Sequence, residues 1–242
     1  MICGPCRPET HRKPSTMAAP VSIVIPTLNA AAQIAPTLAC LVEGVSMGLV
    51  RELIIVDGGS DDDIAQIASK VGAVFAICKP GRGGQLAMGA NQASAPWLLF
   101  VHADTVLSAD WSVAVAAHIH AQSDAAYGRL SFDDTGIMAR FVSAGANLRS
   151  KLFGLPYGDQ ALLVSRQMYD HVGGFRDIPL MEDVAMADAL RGQLRQLDIT
   201  AITSAARYQR HGWIKRIYKN LTLLMRFKLG ADPEKLARDY RT

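Results

Sequence analysis

The amino-acid sequence predicts an α/β fold: a Rossmann-like, mainly parallel sheet flanked by helices, with further helices at the C-terminal end. Three observations carry this. From residue 21 onward, short β-branched runs alternate with stretches of helical periodicity. Gly, Pro, Asn and Asp mark the joints between them. The 242 residues, 50% hydrophobic and 19% charged, are enough to bury the core of one large domain.

Residues 1–19 contain three prolines and no apolar periodicity, so they read as a disordered extension, with Met17 an alternative start. Residues 20–242 are expected to form a single domain. Val21–Ile25 is a β-branched run closed by Pro26 and reads as a buried parallel strand. Ile34, Leu38, Leu41, Val42 and Val45 follow at helical spacing, one face for the sheet. Leu53–Val56 is the second strand. Ser60 is expected to cap the next helix, with Asp61-Asp62-Asp63 in its first turn. Ala73–Ile77 is the third strand. A Gly-rich loop and a short helix then lead to a fourth, Trp97–Val101. This order implies right-handed crossovers and parallel pairing. Further on, strands are expected near Ala125–Phe132, Ala161–Ser165 and Asp198–Ile202. Helices are expected near Ile137–Phe153, after Met181, and from Trp213 as an amphipathic segment.

Composition narrows the function classes. No apolar run approaches the roughly 18 to 20 residues needed to cross a bilayer. The net charge is +3, yet residues 205–242 hold ten Lys/Arg against three Asp/Glu, leaving a mildly acidic body. Such a tail suits an anionic partner, a phosphate or a membrane surface, and equally a solvated helix. No nucleic-acid motif is present, so nucleic acid is not expected as a partner. Of four cysteines, Cys3 and Cys6 have redox spacing but lack the strand-to-helix setting that such chemistry needs. Cys40 and Cys78 read as ordinary buried residues. With no disulfide framework, a cytoplasmic protein is expected.

Ligands of such sheets bind beyond the carboxyl ends of the strands, which selects the loops at Pro26–Asn29, Asp57–Ser60, Lys79–Gln85 and His102–Thr105. Asp57-Gly58-Gly59-Ser60 can offer a carboxylate to a base or ribose with close backbone approach, or simply a helix cap. Asp104, in His102-Ala103-Asp104, is expensive at a buried strand end unless paired or bound to a cation such as Mg²⁺ or Mn²⁺. A capping role accounts for it equally. Arg82 offers a fixed charge to phosphate oxygens or to water. Glu182-Asp183 opens a helix, either as partner of its dipole or as a general base.

The order of these pieces is more specific than any one of them. Val21-Ser-Ile-Val-Ile-Pro-Thr-Leu-Asn29, Glu52-Leu-Ile-Ile-Val-Asp-Gly-Gly-Ser-Asp61, Phe100-Val-His-Ala-Asp104, and Gly173-Gly174-Phe175 followed by Glu182-Asp183 resemble family 2 glycosyltransferases of the inverting, GT-A type. Phe100–Thr105, Tyr157-Gly158-Asp159-Gln160 and Pro179–Asp183 are similar to a bacterial subgroup linked to arsenosugar biosynthesis. The resemblance implies a nucleotide-sugar site at Pro26, Thr27, Asn29, Asp57, Gly58, Arg82, Ala103 and Asp104, with Asp57 reading the base. It implies a nucleoside-diphosphate sugar donor, UDP-sugar favoured, and a small-molecule or lipid-like acceptor near Gly173, Gly174 and Asp159. Asp104, with His102, would hold Mg²⁺ or Mn²⁺, and Asp183, beside Glu182, would be the catalytic base. One departure stands out: His102 occupies the first acidic position of the family's Asp-x-Asp motif, which changes the donor set offered to a metal.

Two other readings compete. A sugar nucleotidyltransferase would place a Gly-rich basic loop directly after the first strand, where this chain has Pro26-Thr27-Leu28-Asn29. A non-catalytic nucleotide-binding domain of the same fold would have no need of both Asp104 and Asp183. The basic C-terminal helix adds peripheral membrane contact as a further expectation.

Overall fold

The computed structural model describes residues 18–121 and 124–241. The expected extension at its first 17 residues, with the Cys3/Cys6 spacing and Met17, lies outside the described residues. Eight strands form one sheet: β1 (Val21–Thr27), β2 (Val50–Asp57), β3 (Val74–Ile77), β4 (Trp97–Phe100), β5 (Thr105–Leu107), β6 (Ala125–Phe132), β7 (Leu162–Ser165) and β8 (Leu194–Thr203). Their order is 3-2-1-4-7-6-8-5. The β3-β2-β1-β4 half is wholly parallel. Beyond it β7 runs antiparallel to β4 and β6, β8 is parallel to β6, and β5 closes the edge antiparallel to β8.

The helices are α1 (Ile34–Ser46), α2 (Ile64–Lys70), α3 (Arg82–Gln92), α4 (Trp111–His120), α5 (Ile137–Phe153), α6 (Arg166–His171), α7 (Glu182–Ala189), α8 (Ala206–His211), α9 (Trp213–Lys228) and α10 (Pro233–Arg241). A 3-10 turn spans Gly158–Gln160.

Both sheet faces are covered, which is why β1 is apolar without alternation. Ile23 and Ile25 point to a core with Ile34, Leu41, Ile55 and Trp111. Val24 points to the other, with Ile54, Leu86, Phe100 and Met186. The face of α1 differs from the expected one. Ile34, Thr37, Leu41 and Gly44 are buried, while Val42 and Val45 are exposed. The fully buried Trp111 takes the space over Gly44, where a Cβ would lie 2.5 Å from its ring. A sequence-only choice of apolar stripe cannot see that a glycine is the contact point.

Two further corrections concern the loops. Ser60 does not cap α2, which begins at Ile64. Its hydroxyl donates to Asp57 at 2.5 Å, and Asp62 instead accepts from the Ile64 amide at 3.2 Å. Arg82–Gln85 belong to α3 rather than to a loop. Cys40 and Cys78 are half-buried rather than buried, and burial pushes both thiols up.

The C-terminal helices are part of the same body. Leu223 of α9 and Leu236 of α10 pack with Met181 and Val184 around the start of α7. Tyr208 and Trp213 pack on Phe132 and the inner side of α5.

Candidate active site

The carboxyl ends of β1, β4, β6 and β8 open into a cavity of about 440 Å³, walled on the far side by α8, α9 and α10. Pro26, Thr27, Arg82, His102, Ala103, Asp104, Asp159, Glu182 and Asp183 all line it. Residues spread over 158 positions of sequence therefore meet in one place. Asn29, Asp57, Gly58, Gly173 and Gly174 are not in its lining.

Asp57 sits just behind the floor. Its carboxylate accepts from the hydroxyls of Thr27 (2.9 Å) and Ser60 (2.5 Å) and from the amides of Gly59 (2.9 Å) and Ser60 (2.6 Å). Burial alone would raise its pKa, but the donors from Ser60, Thr27 and Gly59 prevail and hold it below the usual carboxylate value. Four accepted bonds match the lone-pair capacity of a carboxylate. Asp57 thus builds the loop at the β1 and β2 ends. Asn29, in the left-handed region at φ 51°, stitches the same loop through the Asp61 amide at 3.1 Å. Gly58 lets Pro80 approach: a Cβ there would lie 3.3 Å from the Pro80 Cα. Gly174 is held against Tyr169, whose ring a Cβ would meet at 2.8 Å.

The four carboxylates of the lining have different surroundings. Glu182 is buried and lies 3.3 Å from Arg82. Burial pushes its carboxyl up, Arg82 opposes this, and Asp183 adds to the rise. Asp159 has a buried Oδ1 with no hydrogen-bond partner. Burial carries its pKa to about 6, against the pull of Arg149 and with repulsion from Asp183 and Asp104. Asp183 accepts from the Gly158 amide at 3.0 Å and from the Val184 amide at 2.7 Å. Both acids start α7, whose preceding residue, Met181, is left-handed at φ 67°. That conformation costs a non-glycine residue about 1–2 kcal/mol, offset here by the packing of Met181 among Val184, Leu223 and Leu236.

His102 is pushed well below the usual imidazole value by burial and by the charges of Arg82 and Arg207. Such surroundings favour the neutral ring, in which one nitrogen is an acceptor of a hydrogen bond or a metal. Its ring lies against Gly158, where a Cβ would come within 2.5 Å of Nε2. Among the described residues no cluster of three or more His, Cys, Asp or Glu could hold a metal. Asp104 and His102 both line the cavity and offer it an oxygen and a nitrogen donor, types that Mn²⁺ accepts.

Sequence reasoning missed several lining residues. Gln85 donates to the Thr27 carbonyl at 2.7 Å and the Val56 carbonyl at 2.9 Å, tying the ends of β1 and β2 to α3. A buried glutamine on a helix has no sequence signature. Tyr208, Asn220 and Tyr240 are likewise visible only in three dimensions, and the charge of Arg207 and Arg216 was legible only as part of the basic tail.

The chain is 36% identical over 171 residues to PGL/p-HBAD biosynthesis glycosyltransferases of Mycobacterium bovis and Mycobacterium tuberculosis, a match covering 66% of this chain. It spans 64% of the length of those relatives. Among solved structures, Staphylococcus aureus TarS 1-349 in complex with UDP-GlcNAc superposes with a TM-score of 0.59 at 16% identity, covering 76% of this chain and 58% of that one. Glucosyl-3-phosphoglycerate synthase from M. tuberculosis, in complex with Mn²⁺, UDP and glucosyl-3-phosphoglycerate, superposes with a TM-score of 0.53 at 20% identity, covering 77% and 70%. These two likenesses establish the shared GT-A fold. Residues 22–149, more than half of the chain and the whole floor of the cavity up to Asp104, match the profile of Glycosyl transferase family 2, and the chain belongs to that family.

Proposed function

We propose that the chain transfers a sugar, with inversion, from a nucleoside-diphosphate donor to an acceptor hydroxyl, UDP-sugars being the favoured donors. The observation that carries this reading is the placement of Asp104 and Asp183 on opposite elements, a strand-end loop and a helix start, around one cavity. In the reaction Asp183 takes the acceptor hydroxyl proton as that oxygen forms a bond to the anomeric carbon. The bond from that carbon to the diphosphate oxygen breaks, and the nucleoside diphosphate leaves with its electron pair. Asp104 and His102 would hold Mg²⁺ or Mn²⁺, whose chemistry is to neutralise charge on the departing diphosphate. The Mn²⁺ and UDP bound by the synthase of the same fold support this choice. Arg82, anchored by Glu182, adds a fixed positive charge on the same side.

The nucleoside would lie over Pro26, Thr27 and Ala103, with Asp57 shaping that floor from behind. Gly173 and Gly174 would act on the acceptor side only through the packing of the 173–181 segment. The exposed apolar and basic face of α9 supports peripheral contact with an anionic membrane, and so a lipid-like acceptor among the candidates.

The test is binding and hydrolysis together. Titration calorimetry with several nucleoside diphosphates, with and without Mn²⁺, followed by a screen of activated sugars for donor hydrolysis, should give one preferred nucleoside and cation-dependent turnover. Release of pyrophosphate from a sugar phosphate and a nucleoside triphosphate would show a nucleotidyltransferase instead. Tight binding without turnover of any donor would show a non-catalytic domain.

A further inference from the structure

The cavity is divided by charge. Its carboxylates, Asp104, Asp159, Glu182 and Asp183, come from the sheet ends, the 3-10 turn and α7, and its first cation, Arg82, is paired with Glu182. The C-terminal wall contributes Arg207 and Arg216 and no acid. Among the described residues, neither arginine has a carboxylate within salt-bridge distance. Arg216 donates through Nη2 to the Tyr240 hydroxyl and lies over that ring, 4.6 Å from its centroid. Its Nε, by contrast, is buried with no hydrogen-bond partner. A buried guanidinium N–H left unmade is costly, and the side chain that carries it lines the cavity. Asn220, whose amide donates to the Tyr208 hydroxyl at 3.4 Å, completes a donor-rich end lined also by Tyr208 and Tyr240.

We propose that this end of the cavity is an anion subsite for the acceptor, taking a phosphoryl or carboxylate group on Arg216 and, at the rim, Arg207. The assignment rests on the glycosyl-transfer reading above, since it names the class of acceptor for that same site. Arg216 belongs to the acceptor side because it lies over Tyr240, and Tyr240 packs with Met181 and Val184, which flank Glu182 and Asp183 at the start of α7. Guanidinium groups suit such oxyanions because their N–H fork matches two oxygens. An anion there would place an attached hydroxyl near Asp183.

The test uses the full chain saturated with uridine diphosphate and Mn²⁺, titrated with glycerol phosphate, glycerate, inorganic phosphate and glycerol. Vesicles carrying phosphatidic acid, against phosphatidylcholine alone, form a second arm that separates a lipid-borne phosphate from a free one. The anions should bind saturably without displacing the nucleotide, glycerol should not, and Arg216→Gln should weaken binding by about 10-fold or more. Arg207→Gln, at an exposed position, should act in the same direction and guards against a folding defect at α9. Sensitivity in either arm supports the subsite and tells which source it serves. Anions that bind only by displacing the nucleotide would put the arginines on the donor diphosphate and overturn the proposal. Anion binding unchanged in both variants, or absent from both arms, would also overturn it. If uridine diphosphate itself fails to bind, the glycosyl-transfer reading falls first, and this inference with it.

Discussion

The amide of Gly158 donates to Oδ2 of Asp183 at 3.0 Å, joining the 3-10 turn at 158–160 to the first turn of α7. The same glycine lies against the His102 ring. One small residue thus spaces the candidate base from the candidate metal loop, and a side chain there would disturb both.

Asp183→Asn keeps the shape of that contact, since the amide oxygen still accepts from Gly158, but it cannot take a proton. Turnover should fall by about 10² to 10⁴, the usual range for a lost acid–base group, with donor affinity nearly unchanged. Glu182→Gln should cost less, because Glu182 is buried against Arg82. Near-normal turnover of Asp183→Asn on a verified acceptor would pass the role to Glu182 or Asp159.

Asp104→Asn removes the one carboxylate of the His102–Asp104 loop. Cation-dependent nucleoside diphosphate binding should drop to the level measured in chelator, with the melting temperature of the free protein little changed. Because an imidazole suits Mn²⁺ better than Mg²⁺, wild type should bind more tightly with Mn²⁺, and His102→Asp should narrow that difference. Full activity of wild type in excess chelator would end the metal assignment.

The parallel half of the fold was legible because each element there carries its own signal, as in the apolar β1 run or the Gly-rich stretch before β4. The short pieces were not. β5 has three residues, and α6 and α8 have six each, too few for a period to register. The site divides the same way. Strand-end residues such as Asp104 are marked by topology, and residues 22–149 match the family profile. Gln85 and Tyr240 are in the cavity only because of tertiary packing. Asp57 was legible as a loop carboxylate, but its four internal hydrogen bonds depend on where Thr27 and Ser60 fall in space.

Asp159 gives the apo protein a pH signature. Its pKa is raised from 3.8 in the unfolded reference to about 6, so between those values the folded state holds the extra proton. The stability linked to the neutral form is fully present below 3.8 and is lost as pH rises through about 6. Asp159→Asn mimics the neutral form at every pH. Thermal melts of the ligand-free variant should show a flatter dependence over that window and a higher melting temperature than wild type at pH 8. A variant that melts below wild type at pH 8 would contradict this.

Gly83 is fixed by backbone. A Cβ there would overlap the Arg176 carbonyl oxygen and lie 2.9 Å from that of Ile178. Gly83→Ala must push α3 away from the 176–178 segment, displacing Arg82 from Glu182. The cost should be about 1–3 kcal/mol, read from urea unfolding, with weaker nucleotide binding. Gly84→Ala meets the Asp177 side chain, which can rotate away, and should cost less.

The last prediction concerns α9. Ile214, Tyr218, Leu221 and Met225 recur along one side of the helix and are 77%, 73%, 52% and 66% exposed. The opposite side is already used, by Leu223 against α7 and α10 and by Trp213 against Phe132. Of its five Lys/Arg, Arg216 lines the cavity and Arg226 and Lys228 pair with Asp239 and Asp188, which leaves Lys215 and Lys219 for an anionic surface, at about 1 kcal/mol each. No helix among the described residues is long and apolar enough to cross a membrane. The protein should co-float with phosphatidylglycerol vesicles at low salt and be released at high salt. Ile214→Glu with Met225→Glu should abolish flotation while leaving the melting temperature within a degree or two, because neither side chain is packed. Failure to float with anionic vesicles at low salt would leave α9 as a packing helix only. Self-association through the same face would show instead as a concentration-dependent dimer that the double variant dissociates.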